Sequence, residues 1–177
     1  MKKYELTNEK KVFSGRTLYR IRALKDFELL DGTIIHAGDL GGWIEKEDNL
    51  SQGSSAWVSD NAWVSGNARV SDNARVSDNA RVSGNARVYG KARVYGDAQV
   101  YRTTHVMTFG PAGSRNDYTT FYRNKNNGIS VTCGCFNGSI EDFLAQVNET
   151  HSDNKHGQVY RAAAELAKLQ IDLEDVE

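Results

Sequence analysis

The chain has 177 residues, enough for one domain of ordinary size or two small ones, and its 22 basic and 23 acidic side chains create no global field for nucleic acid. No apolar run approaches the ~18 residues of a membrane span, and Met1-Lys2-Lys3-Tyr4-Glu5-Leu6 lacks the apolar stretch of a signal peptide, so neither membrane insertion nor Sec export is expected. Two cysteines, Cys133 and Cys135, cannot build a disulfide framework, which makes the reducing cytoplasm the expected compartment.

The first predicted elements are short strands. Leu18-Tyr19-Arg20-Ile21-Arg22-Ala23-Leu24 alternates as a strand, Asp31-Gly32 is a hairpin turn, and Thr33-Ile34-Ile35 is a return strand. Residues 1–39 therefore read as a β cap. His36-Ala37-Gly38-Asp39-Leu40-Gly41-Gly42-Trp43-Ile44 then leads into the middle third, which is an internal repeat.

Valine recurs every six residues from Val58 to Val106, and a small residue stands two places before each, from Ala56 to Ala98 and then Thr104. In an extended segment residues i and i+2 share a face, so Ala and Val point inward together and the residue between them points outward. Asp60-Asn61, Gly66-Asn67, Asp72-Asn73, Asp78-Asn79 and Gly84-Asn85 follow as corners that tolerate positive φ. One unit buries almost nothing alone, so the units must stack, with the valines as core. A helix is rejected, because this spacing misses the 3.6-residue period and each Asp-Asn or Gly-Asn would break it. Ile44 and Leu50 extend the repeat upstream in the alanine phase, giving three to four coils over residues 40–106.

After Val106 the period stops. Tyr118-Thr119-Thr120-Phe121-Tyr122-Arg123 reads as a strand, Asn126-Asn127-Gly128 as a turn, and Ile129-Ser130-Val131-Thr132-Cys133 as the partner strand. Ser139 caps a helix with Asp142 in its first turn and Ile140, Phe143, Leu144 and Val147 on one face. Ser152 or Asp153 caps a second helix carrying Val159, Ala163 and Leu166, and the acidic end from Asp172 to Glu177 is expected to fray. Residues 107–177 thus form a small α+β domain that closes the solenoid.

The six-residue period resembles the hexapeptide repeat of left-handed parallel β-helices, triangular prisms with three units per coil. That resemblance supplies the handedness and the coil length, since parallel crossovers are otherwise nearly always right-handed. The expected fold is mainly β, a left-handed parallel β-helix with an N-terminal β cap and a C-terminal α+β domain. Gly38-Asp39-Leu40-Gly41-Gly42-Trp43-Ile44-Glu45 leading into Ala-Arg-Val repeats is similar to a bacterial family of acyltransferase-like β-solenoid proteins. Gly113-Ser114-Arg115-Asn116, Cys133-Gly134-Cys135-Phe136 and Thr150-His151 resemble a domain of phage and prophage proteins.

The first resemblance implies trimers with coenzyme A between prisms and a histidine as general base. His36, His105, His151 and His156 all lie outside the regular coils 56–104; His105, nearest their end, is expected to point outward. With three units per coil, the outward columns are Arg69, Arg87 and His105; Trp57, Arg75 and Arg93; and Trp63, Arg81 and Gln99. Seven bases against four acids in residues 56–105 leave two readings of these rows, a solvated face or an anion- or protein-binding face. Tyr89, Tyr95 and Tyr101 replace serine in the final coils, beside Arg87 and Arg93, either to pack against the C-terminal domain or to bind.

Cys133 shares the side of Ile129 and Val131, and with Cys135 reads as ordinary buried thiols; a metal site with His151 or His156, or a Cys-His nucleophile, is the sharper alternative. Gly110-Pro111-Ala112-Gly113-Ser114-Arg115-Asn116-Asp117 is a structural turn or, with Thr119, Thr120, Arg123 and His151, an anion pocket built from hydroxyls and guanidinium groups. No cofactor motif is present and no metal is expected. The function expected is a non-enzymatic phage-type binding protein with the solenoid as an oligomer-forming platform. Its partner is a host protein or a small phosphorylated ligand, as for a counter-defence factor, with neither membrane nor nucleic acid. The alternative is an acyl-CoA-dependent transferase.

Overall fold

The computed structural model describes residues 1–174. The N-terminal part contains β1 (Tyr4–Phe13) and β2 (Arg16–Ala23), an antiparallel pair, the two-stranded hairpin of β3 (Phe27–Glu28) and β4 (Ile34–Ile35), and β5 (Leu40–Ile44). The predicted return strand is β4, but its partner is β3 and not the strand at 18–24.

Each hexad then contributes one two-residue strand: β6 (Trp57–Val58), β7 (Trp63–Val64), β8 (Arg69–Val70), β9 (Arg75–Val76), β10 (Arg81–Val82), β11 (Arg87–Val88), β12 (Arg93–Val94) and β13 (Gln99–Val100). The strands pair in parallel, Arg81 with Trp63 and Gln99, Arg75 with Trp57 and Arg93, and Arg87 with Arg69. Three hexads therefore close one coil, and about three coils stack into a three-sheeted β-solenoid. From Ala56 to Val100 every alanine and valine of the repeat is buried. The predicted outward columns hold through Gln99.

The corners explain the Asp/Gly alternation. Asp60, Asp72 and Asp78 and the glycines at 66, 84, 90 and 96 all adopt φ between 57° and 66°. Asp72 Oδ2 accepts the Gly90 N–H at 2.9 Å and Asp78 Oδ2 accepts the Gly96 N–H at 2.8 Å, so a corner aspartate also ties its coil to the next.

Upstream, the phase differs from the prediction. Ile44 pairs with Val64 and Leu50 bridges Val70, each twenty residues on, which places both in the valine column. The first coil holds two extra residues around Gln52-Gly53-Ser54. Lys3, just before β1, pins them: its Nζ donates to the carbonyls of Ser54 and Ala56 at 2.7 and 2.6 Å, and Gln52 Oε1 accepts its backbone N–H at 2.8 Å.

At the other end the ladder stops at Val100. A 3₁₀ turn at Thr103–His105 follows, and Val106 opens β14 (Val106–Ala112). With β15 (Asp117–Arg123), β16 (Ile129–Cys133) and β17 (Phe136–Ser139) it forms an antiparallel sheet in chain order. Two helices cover it, α1 (Ile140–His151) and α2 (Lys155–Gln170). Ser139 caps α1 by accepting from Asp142 N as predicted, but α2 is capped by Asn154, while Ser152 ends α1 with φ 45°. The buried face of α2 is Tyr160, Ala163, Ala164 and Ala167, and Leu166 is exposed, so the predicted face is rotated. Asp172 does not fray: it meets Arg102 at 3.3 Å and Leu173 packs on the helical core, while residues 175–177 lie outside the described residues.

Candidate functional site

Two of the three prism faces are covered. β2 joins β5 and extends the sheet of β7, β10 and β13, and its partner β1 lays Phe13 on Trp63 at 5.0 Å and Lys11 over Trp43 at 4.3 Å. On the second face Trp57 packs against Tyr4 and Phe27 at 6.3 and 5.3 Å, and Arg75 pairs with Asp31. Trp57 and Trp63, outward from the coil, are thus buried beneath the N-terminal strands. The third face, β8 and β11, stays open: Arg69 and Arg87 are exposed in register, without an ion pair among the described residues, beside a groove edged by Glu47, Asp48 and Asp72.

The C-terminal sheet docks on the last coil. Thr120 Oγ1 accepts the Arg93 N–H at 3.0 Å, Ala98 bridges Asn124, and Tyr122 enters the solenoid core. Arg123 is buried there, 5.7 Å from the Tyr101 ring, and donates to Asn127. His105, expected to point outward, is turned in and buried, its Nδ1 accepting the Tyr101 N–H at 3.2 Å. Burial, then the nearby Arg123 charge, push its imidazole below its usual range.

On the far side of this domain a cleft of about 470 Å³ opens between the β14–β15 turn, the β16–β17 turn and the two helices. Ser114, Arg115 and His151 line it, with Phe136, Phe143 and Tyr160 as its apolar wall. His151 lies 5.6 Å from Tyr160 and 5.8 Å from His156, ring to ring. Burial, then the adjacent Cys133 thiol, push the Tyr160 hydroxyl up.

The twelve sequence candidates therefore separate. Ser114, Arg115 and His151 meet in the cleft. Asn116 sits in the tight turn beside it at φ 50°, and Thr119 is buried behind it, donating to Cys133 Sγ at 3.2 Å. Thr120, Arg123, Arg93, Tyr95 and Tyr101 belong to the solenoid or its junction with the C-terminal sheet; Tyr95 is half-buried, 5.8 Å from the Arg75 guanidinium. Arg87 and Tyr89 stand on the open face, Tyr89 58 % exposed.

Cys133 and Cys135 are not the buried pair the alternation suggested. Cys133 is half-buried, Cys135 is exposed, and both line the cleft because the strand ends at Cys133 and Gly134 turns the chain at φ 59°. Tyr160 is a cleft residue that the sequence reading missed, hidden by the misassigned helix face; Asp117 and Phe136, which stood in the quoted segments without a role, line the cleft as well.

The fold and its register define a β-solenoid protein. Within it, residues 62–78, 68–84, 74–90, 80–96 and 86–102 each match the family model of the YdcK beta solenoid repeat, so the similarity runs along the coils in steps of six residues. No curated protein matches the chain. No helix among the described residues is long and apolar enough to cross a membrane.

Proposed function

We propose that this is a non-enzymatic binding protein in which the solenoid is a rigid platform and the C-terminal cleft takes a small phosphorylated ligand. The observation that carries this reading is the convergence of Ser114, Arg115 and His151 on one cleft with an aromatic wall. A guanidinium donates to two phosphate oxygens at once, a hydroxyl adds a third donor, and Phe136 and Tyr160 offer surface to a flat organic group. In the phage setting that the second resemblance implies, such a protein would sequester a small phosphorylated signal of the host. Acyl transfer is the weaker reading, because a general base must reach an acceptor, and His105, the histidine beside the last coil, is buried.

The test is calorimetric titration of the full chain with inorganic pyrophosphate, adenine and guanine nucleotides, and coenzyme A. Saturable binding of a phosphorylated compound, weakened about tenfold or more by Arg115→Ala with melting unchanged, is expected. Equal binding by Arg115→Ala, or binding of none of these compounds, refutes the assignment. Coenzyme A bound on the solenoid and insensitive to Arg115→Ala would favour the transferase instead.

A further inference from the structure

Cys133-Gly134-Cys135 lies on the rim of the cleft, in the two-residue turn joining β16 to β17, with Cys133 opposite Phe136 in the ladder. Consecutive Cα atoms are about 3.8 Å apart, so where the chain turns at Gly134 the Cα atoms of Cys133 and Cys135 come within about 5–6 Å, in the range that a disulfide spans. Gly134 suits this turn doubly. Its φ is 59°, and a Cβ there would lie 3.0 Å from Arg115 Nη1, so the guanidinium rests against the turn. The same nitrogen is 3.9 Å from Cys135 Sγ, and Cys133 Sγ accepts from Thr119 Oγ1 at 3.2 Å.

We propose that Cys133 and Cys135 are a reversible dithiol–disulfide couple, oxidised by exchange with a low-molecular-weight disulfide of the glutathione type. The two sulfurs have unequal roles. Cys135 is exposed beside a cation, so its thiolate attacks one sulfur of the small disulfide, forming a mixed disulfide and releasing one thiolate. Cys133, half-buried and held by the Thr119 hydroxyl, then attacks Cys135 Sγ, closing the Cys133–Cys135 bond and expelling the second thiolate. Two electrons pass from the protein thiols to the small disulfide, and the two protons end on the released thiols. Closure takes Cys133 Sγ from Thr119 and Cys135 Sγ from Arg115, so the oxidised turn reshapes one wall of the cleft. The chemistry needs only the thiols and stands whether or not the cleft binds phosphate.

Incubating the full chain with glutathione disulfide, then measuring intact mass and alkylatable thiols, tests it. The wild type should lose the mass of two hydrogens and both free thiols, carry no adduct, and recover with dithiothreitol. Cys133→Ser should stop at a glutathione adduct on Cys135, while Cys135→Ser should acquire its adduct about tenfold more slowly or worse. Circular dichroism confirms that the variants fold. A wild type that keeps two thiols, accumulates a stable adduct or forms a covalent dimer overturns the couple, and equal adduct rates in the two variants overturn the order of attack.

Discussion

Val82→Ala probes the solenoid where its stacking is most complete. Val82 is fully buried in β10, the strand between β7 and β13, in register with Val64 on one side and Val100 on the other. Truncation removes two methyl carbons, worth about 0.8 kcal/mol each by transfer, or about 1.6 kcal/mol together. A repeat held on both sides by ladder hydrogen bonds, such as Trp63 N to Ala80 O at 3.0 Å and Ser83 N to Val100 O at 2.9 Å, can collapse little around the void. The expected loss is therefore about 2–3 kcal/mol, which for a chain of this length lowers the melting temperature by roughly 5–10 °C. Urea unfolding followed by far-UV circular dichroism should show a lower midpoint at unchanged slope. Arg69→Ala, on the open face without an ion pair among the described residues, should stay within about 0.5 kcal/mol of the wild type. A Val82→Ala protein as stable as Arg69→Ala would show that the valine column is not the core.

Two further perturbations separate local from stacked contributions. Gly84 and Gly90 have nearly the same backbone, φ 60° and 66°, but a Cβ at 84 would lie 2.5 Å from the Tyr101 carbonyl oxygen whereas one at 90 meets nothing within 4 Å. Gly90→Ala should lose about 1 kcal/mol from backbone strain alone and Gly84→Ala at least about 2 kcal/mol in thermal unfolding, and equal losses would contradict the coil spacing. Burial, then the Lys25 charge, bring Lys3 down to about 7 from 10.5. A base lowered on folding binds its proton more weakly in the native state, so its charged form costs stability at pH below 7 and that cost is relieved as pH rises toward 10.5. The wild type should gain stability relative to Lys3→Met between pH 7 and 9 in denaturant titrations; parallel pH profiles would place the ammonium in solvent.

The repeat was legible because everything it needs is local. An extended chain puts residues two apart on one face, and a residue that tolerates positive φ after each strand turns it, so Ala, Val and the Asp/Gly corners state coil and core within six residues. The same locality revealed the cap at Ser139 and two of the four C-terminal strands, β15 and β16, but not β14 or β17. It did not reveal β1, whose alternation is diluted by the polar run from Thr7 to Lys11 and whose role, covering Trp43, Trp63 and the enlarged first coil, exists only once the coil is wound. Nor could it show that Ile44 and Leu50 share the valine column, since two extra residues shift the phase and only pairing with Val64 and Val70 restores it. His105 reads as outward by extrapolation and is inward because the ladder yields to a 3₁₀ turn one residue group earlier. Arg115, Cys133, His151 and Tyr160 lie far apart in the chain, and the sequence grouped Arg115 with His151 but gave no sign that Tyr160 joins them. They become neighbours through the packing of two helices on one antiparallel sheet, a long-range choice driven by the burial of Phe121, Val131, Ala163 and Ala167 rather than by any property of the polar cleft residues.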